Sequence, residues 1–168
     1  MRYVIYALLI GIVLALQLTL AEILAIQSIT PDLLLLLVVI IALREGKVTG
    51  ILAGFFIGLL DDMTMTGLLG LSALCMALAG FVAGTFYGVK AGLNKGILFV
   101  ILLISALVHE CVSGFITSFA PEQNFFLILM RYSLPTMLYT TGIGFIIFAL
   151  LPQKVWKISV PEWFMEVD

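Results

Sequence analysis

The sequence predicts an all-α integral membrane protein, a bundle of six transmembrane helices. Three observations predict it. Of 168 residues, 63% are hydrophobic and only 11% charged, with a mean hydropathy of +1.26, far from the composition of a water-soluble domain. The apolar residues fall into six successive runs separated by short polar segments, four of them long enough to cross a bilayer and two shorter ones that read as a helical hairpin. Lys and Arg also collect on one side when the chain is threaded through a membrane with its N-terminus inside.

The first span, 3–21, follows Arg2 and is long enough to cross the hydrocarbon core as a helix. Leu18-Thr19-Leu20-Ala21 is a poor cleavage region and further apolar runs follow, so this segment reads as a retained span and not a signal peptide. The second, 31–44, is Leu-rich and opens with Pro31 at the first helical position and Thr30 as N-cap. Arg44-Glu45-Gly46-Lys47 forbids one continuous buried helix, so 31–44 and 47–62 form a helical hairpin. Both helices are short and expected to be tilted or shielded, with Arg44 and Lys47 snorkelling to the interface. The fourth span is 68–88. The fifth, 96–119, is interrupted by His109-Glu110, and a long sixth, 125–151, contains Arg131 and Pro135. These spans make one transmembrane domain, 1–152, followed by a tail, 153–168. There Trp156 and Trp163 beside Lys154 and Lys157 resemble an anchor on the inner surface, while Pro161 prevents one long amphipathic helix.

In this topology Arg2, Arg44, Lys47, Lys90, Lys95, Lys154 and Lys157 are cytoplasmic, whereas the outer loops hold Glu22, Asp32, Asp61, Asp62 and Glu122. Both termini are expected inside. A net charge of −2 and a pI near 5.3, without a basic cluster, exclude nucleic-acid binding. Cys75 and Cys111 sit inside apolar runs and read as packed thiols, not as a disulfide or a metal site.

Small residues recur at helical spacing. Gly46, Gly50, Gly54 and Gly58 line the third helix, Ala73, Ala77, Gly80, Gly84 and Gly88 the fourth, and Ala7, Gly11 and Ala15 the first. Because lipid is as apolar as leucine, helices associate in membranes through close backbone approach, and such rows permit it. They either pack the six helices together or accept a helix of another protein.

Polar residues inside the spans are the other candidates. Glu110 is costly in hydrocarbon and calls for a partner; Arg131, toward the outer half of the adjacent span, is the expected one, with a protonated Glu110 the alternative. Ser105 and Ser113 lie one turn either side of His109 and could hold its imidazole. The His109-Glu110-Cys111-Val112-Ser113 stretch begins like a zincin helix, but Ser113 stands where a second histidine would be required, and the chain has one histidine. No catalytic or cofactor-binding residues are expected. Asp61-Asp62, beside a flexible turn, reads as an outward-facing polar contact, with too few ligands for a Ca²⁺ site.

The order Pro31-Asp32-Leu33, then Gly50 to Gly58 leading into Gly58-Leu59-Leu60-Asp61-Asp62, then Gly67-Leu68-Leu69-Gly70, and finally Arg131 through Pro135 to Thr140, resembles the bacterial rod shape-determining MreD family. The resemblance covers nearly the whole chain. It implies a non-enzymatic inner-membrane scaffold of the cell-wall elongation machinery, binding an MreC-like single-span protein and linking an MreB-like filament to peptidoglycan synthases. The family fold is similar to the six-helix substrate-binding subunits of energy-coupling-factor vitamin transporters. The rival reading follows from that likeness: Asp61, His109, Glu110 and Arg131 would line an outward pocket for a vitamin-sized ligand.

Overall fold

A computed structural model of the chain describes residues 2–24, 30–64, 68–88, 95–119, 126 and 129–150. The tail 153–168, with Trp156 and Trp163, and the loop residues Lys90 and Glu122 lie outside them. The described residues are all-helical, without strands: α1 (Arg2–Leu24), α2 (Leu33–Glu45), α3 (Lys47–Thr64), α4 (Leu71–Gly84), α5 (Lys95–Thr117), a π-helical turn (Leu129–Ser133) and α6 (Leu134–Leu150). By length and composition, Gly96–Thr117 within α5 is the one described helix able to cross a membrane; Tyr6–Thr19 and Leu71–Gly84 are shorter apolar helices.

The centre of the bundle is α2. Its sequence, LLLLLVVIIALRE, has no polar face, and Leu34 to Val39 and Ile41 to Leu43 are all buried. It packs against α1, α3, α4, α5 and α6. One side meets Ala83, Leu98, Ile101 and Leu102, and another meets Ile57 and Met76 with Tyr6, Ile10 and Val13 of α1 alongside. Leu35 packs with Ala79, Ala106 and Met137. At 13 residues, α2 is about 20 Å long, short of the roughly 30 Å hydrocarbon core. Its neighbours shield it from lipid, so the length rule for a lipid-exposed span does not bind it.

The N-cap of α2 is Asp32, not Thr30 with Pro31 as first helical residue. Asp32 has extended backbone and its carboxylate accepts from Leu35 N at 2.8 Å. The stronger acceptor, placed three residues before a free N–H, sets the start of the helix. At the other end Gly46 adopts φ +91° and donates its N–H to Ala42 O, which turns the chain directly into α3.

The most extensive packing in the bundle is between α3 and α4. Their small residues interlock in antiparallel order: a Cβ on Gly50 would meet the Gly80 carbonyl, one on Gly54 the Met76 carbonyl, one on Gly58 the backbone of Ser72 and Ala73, and one on Gly84 the backbone of Lys47. The opposite side of α3 exposes Ile51, Leu52, Phe55 and Phe56.

The described part of the 125–151 run is not a regular α-helix throughout. Pro135 lacks an N–H and would clash with the Arg131 carbonyl four residues back in a regular α-helix. The wider π-helical turn Leu129–Ser133 accommodates it, and α6 begins at Leu134. Likewise the helical part of 68–88 ends at Gly84, followed by turns.

Candidate functional site

The acidic and polar side chains gather where α2 and α4 begin. A helix starting inside a bundle leaves its first N–H groups without intrahelical partners, and in a membrane no bulk water replaces them. At α2 three helices meet this need. Asp32 caps Leu35 N; Thr140 Oγ1 of α6 accepts from Asp32 N at 2.9 Å; Gln17 of α1 accepts from Leu33 N through Oε1 at 2.9 Å and donates from Nε2 to Pro31 O at 3.2 Å. Gln17 and Thr140 are buried. The role of neither is legible in the sequence: Gln17 is the amide among the largely apolar residues of the first span, and Thr140 closes the Arg131-to-Thr140 stretch without any capping signal.

At α4 the N-cap position is Gly70, which has φ +94° and no side chain to cap with. Asp62, at the end of α3, supplies the carboxylate, accepting from Gly70 N (2.9 Å), Ser72 N (2.9 Å) and Ala73 N (3.1 Å). The expectation that Asp61 and Asp62 face outward as a polar contact is therefore corrected, since both are buried. Asp62 closes the C-terminus of α3, where the helix dipole disfavours it. It also sits on the N-terminus of α4, where three N–H groups and the opposite dipole end favour it.

Asp61, Asp32, His109 and Glu110 lie within electrostatic reach of one another. His109 Nε2 is 3.9 Å from Asp32 Oδ2, and His109 Nδ1 is 3.4 Å from Glu110 Oε1. The second pair is close, yet neither buried His109 Nδ1 nor buried Ser105 Oγ makes a hydrogen bond among the described residues. Among the described residues neither Ser105 nor Ser113 holds the imidazole. No ion pair joins Glu110 to Arg131 either. Arg131 is exposed in the π-helical turn, and Glu110 lies beside His109 instead, 3.4 Å from its Nδ1. The structure thus brings Asp32, Asp61, Asp62, His109 and Glu110 to one end of the bundle and leaves Arg131 apart.

The glycine rows divide in the same way. Gly50, Gly54, Gly58, Gly80 and Gly84 are consumed by the α3–α4 contact. Gly46 and Gly88 are turn residues with φ +91° and +83°; a Cβ on Gly46 would lie 3.5 Å from the Tyr87 ring, and nothing lies near the Cβ position of Gly88. Of the two alternatives for the third-helix row, Gly50, Gly54 and Gly58 take internal packing, because α4 lies against them. On α1, Ala7, Gly11 and Ala15 remain exposed, with nothing within 4 Å of the Cβ position of Gly11.

At the opposite end of the bundle Tyr6 donates to Glu45 Oε1 at 2.7 Å, and Arg44 and Lys47 are exposed. Among the described residues no group of three or more His, Cys, Asp and Glu could hold a metal ion, and Cys75 and Cys111 are free thiols.

A family model described as rod shape-determining protein MreD matches residues 1–159. No curated protein and no solved structure matches the chain, so the likeness to vitamin-transporter subunits gains no support from them.

Proposed function

Because this chain belongs to the MreD family of rod shape-determining membrane proteins, its role is in rod-shape determination, and we propose that it acts there as a scaffold in the inner membrane. The family is one of structural, shape-determining proteins. In this reading six helices cross the membrane, both termini are cytoplasmic, and residues 1–152 form the membrane domain ahead of an interfacial tail. The separation of exposed Arg44 and Lys47 from the Asp32, Asp61 and Asp62 end supports that orientation.

The partner is an MreC-like single-span protein, and through it the chain connects to an MreB-like filament and to peptidoglycan synthases. The family match across 159 of 168 residues carries this reading. Among the small-residue rows, the one left for the partner's span is the exposed Ala7-Gly11-Ala15 flank of α1, since the α3 and α4 rows already pack against each other.

The decisive experiment is co-purification of an MreC-like protein from native membranes, combined with deletion of the gene in a rod-shaped host. The scaffold reading expects a stable complex and loss of rod shape. Normal rods after deletion would overturn it. The vitamin-transporter reading is not favoured by any observation: Asp62 is engaged in capping, Arg131 stands apart, and Asp61, His109 and Glu110 lie against neighbouring helices.

A further inference from the structure

α5 meets α2 in antiparallel steps. Near the start of α5, Leu98, Ile101 and Leu102 pack with Leu36, Val39 and Leu43 of α2, and further along Ala106 joins Leu35. One turn on, the facing residues change from apolar to ionisable: His109 of α5 stands opposite Asp32, the residue that caps α2. The Asp32 carboxylate is thereby shared, with Oδ1 accepting from Leu35 N and Oδ2 lying 3.9 Å from His109 Nε2.

Both nitrogens of the ring face carboxylates, Nε2 toward Asp32 and Nδ1 toward Glu110 Oε1 at 3.4 Å. A neutral imidazole carries one N–H and one lone pair, so with both carboxylates ionised it would turn the lone pair toward one of them. The imidazolium, with two N–H groups, is attracted to both. Asp61 of α3 is within electrostatic reach of the ring, and the Cys75 thiol of α4 within reach of Glu110. α1 and α6 bring the uncharged Gln17 and Thr140 to the start of α2, and Arg131 stands apart and exposed. Among the described residues, the carboxylates of Asp32, Asp61 and Glu110 thus share one imidazole, with no Lys or Arg beside them.

We propose that His109 is a pH-sensitive latch between α5 and the start of α2: its imidazolium bridges Asp32 and Glu110, and loss of that proton frees the second half of α5 from α2. A protonated ring offsets one of the carboxylate charges. A neutral ring offsets none, leaving Asp32, Asp61 and Glu110 to repel one another across three helices in surroundings of low dielectric. The latch is therefore closed on the acidic side and opens as pH rises through the titration of the ring. The Asp32 and Glu110 side chains are each 16% exposed and that of His109 12%, which lets protons exchange with solution. The latch rests on these contacts and is independent of the scaffold role.

His109 is the one histidine of the chain, so nitrogen NMR of the full chain carrying isotopically labelled histidine, in detergent, reads this ring alone. At about pH 6 both ring nitrogens should carry protons, and by about pH 9 one of them should have lost its proton. Glu110→Gln should lower the pH at which that happens. Thermal unfolding reads the latch itself: the wild-type melting temperature should fall by a few degrees between about pH 6 and about pH 9. His109→Gln should remove at least half of that fall, whereas Arg131→Gln, at an exposed site away from the cluster, should keep it. If His109→Gln does not fold, the labelled wild type and Glu110→Gln decide. A ring with one bare nitrogen at about pH 6, a titration unmoved by Glu110→Gln, or an equal fall in folded His109→Gln and wild type would overturn the latch.

Discussion

The backbone N–H of Asp32 and the hydroxyl of Thr140, 108 residues apart in sequence, meet at 2.9 Å. This contact ties the start of the central helix to the last helix. With Asp32 capping Leu35 and Gln17 holding Leu33 and Pro31, it supplies partners for the N–H groups of Asp32, Leu33 and Leu35 where a 13-residue helix begins inside the bundle.

Thr140→Val keeps the shape of the side chain and removes the acceptor. A stability loss of about 1–2 kcal/mol is expected, since a buried N–H is left unpaired. Thermal unfolding in detergent measures it. Thr140→Ser should recover most of the loss; equal stability of the Val variant and wild type would show that the contact contributes nothing.

Adjacent Asp61 and Asp62 should behave oppositely. Asp62→Ala removes the acceptor for three N–H groups of α4 and is expected to cost about 1–2 kcal/mol or more. Asp61→Asn relieves repulsion with Asp32 and Asp62 and should leave the melting temperature unchanged or raise it. Similar destabilisation by both would contradict the assignment of the cap to Asp62 alone.

Gly54→Leu should abolish the yield of folded protein, because even a Cβ at Gly54 meets the Met76 carbonyl, and backbone cannot yield as a side chain does. Gly11→Leu has open space and should fold normally. In the scaffold reading, Gly11→Leu weakens recovery of the MreC-like partner at unchanged yield. Full partner recovery with Gly11→Leu would move the docking surface elsewhere.

A double-mutant cycle on Glu110→Gln and Arg131→Gln should give a coupling energy below about 0.5 kcal/mol, the level of independent sites. The same cycle between Glu110→Gln and His109→Gln should exceed it, given the 3.4 Å approach. Strong coupling to Arg131 would restore the ion pair that the sequence suggested.

Much of the helical layout could be read directly, because apolar runs, Gly46 and the Arg44–Lys47 break are local signals. The polar contacts were less legible. Pairing Glu110 with Arg131 rests on both lying toward the outer half of adjacent spans, which does not show that Arg131 is exposed in a π-helical turn while Glu110 lies beside His109. Asp62 looked like a solvated end of α3, since nothing local shows that Gly70, eight residues on, would return as an uncapped helix start. Gln17 belongs to no motif and Thr140 only closes the Arg131-to-Thr140 stretch, with nothing local to foretell a cap; their role exists only once α1 and α6 lie beside the start of α2.

The sequence by itself determined that this chain is helical, apolar and polarised in charge, since composition and residue periodicity act within one helix and against lipid. The tertiary structure alone decided which glycine row is spent internally and which remains exposed, and which carboxylates serve as caps. Those outcomes depend on close backbone approach and hydrogen-bond alignment between helices far apart in the chain, for which no residue carries a local preference.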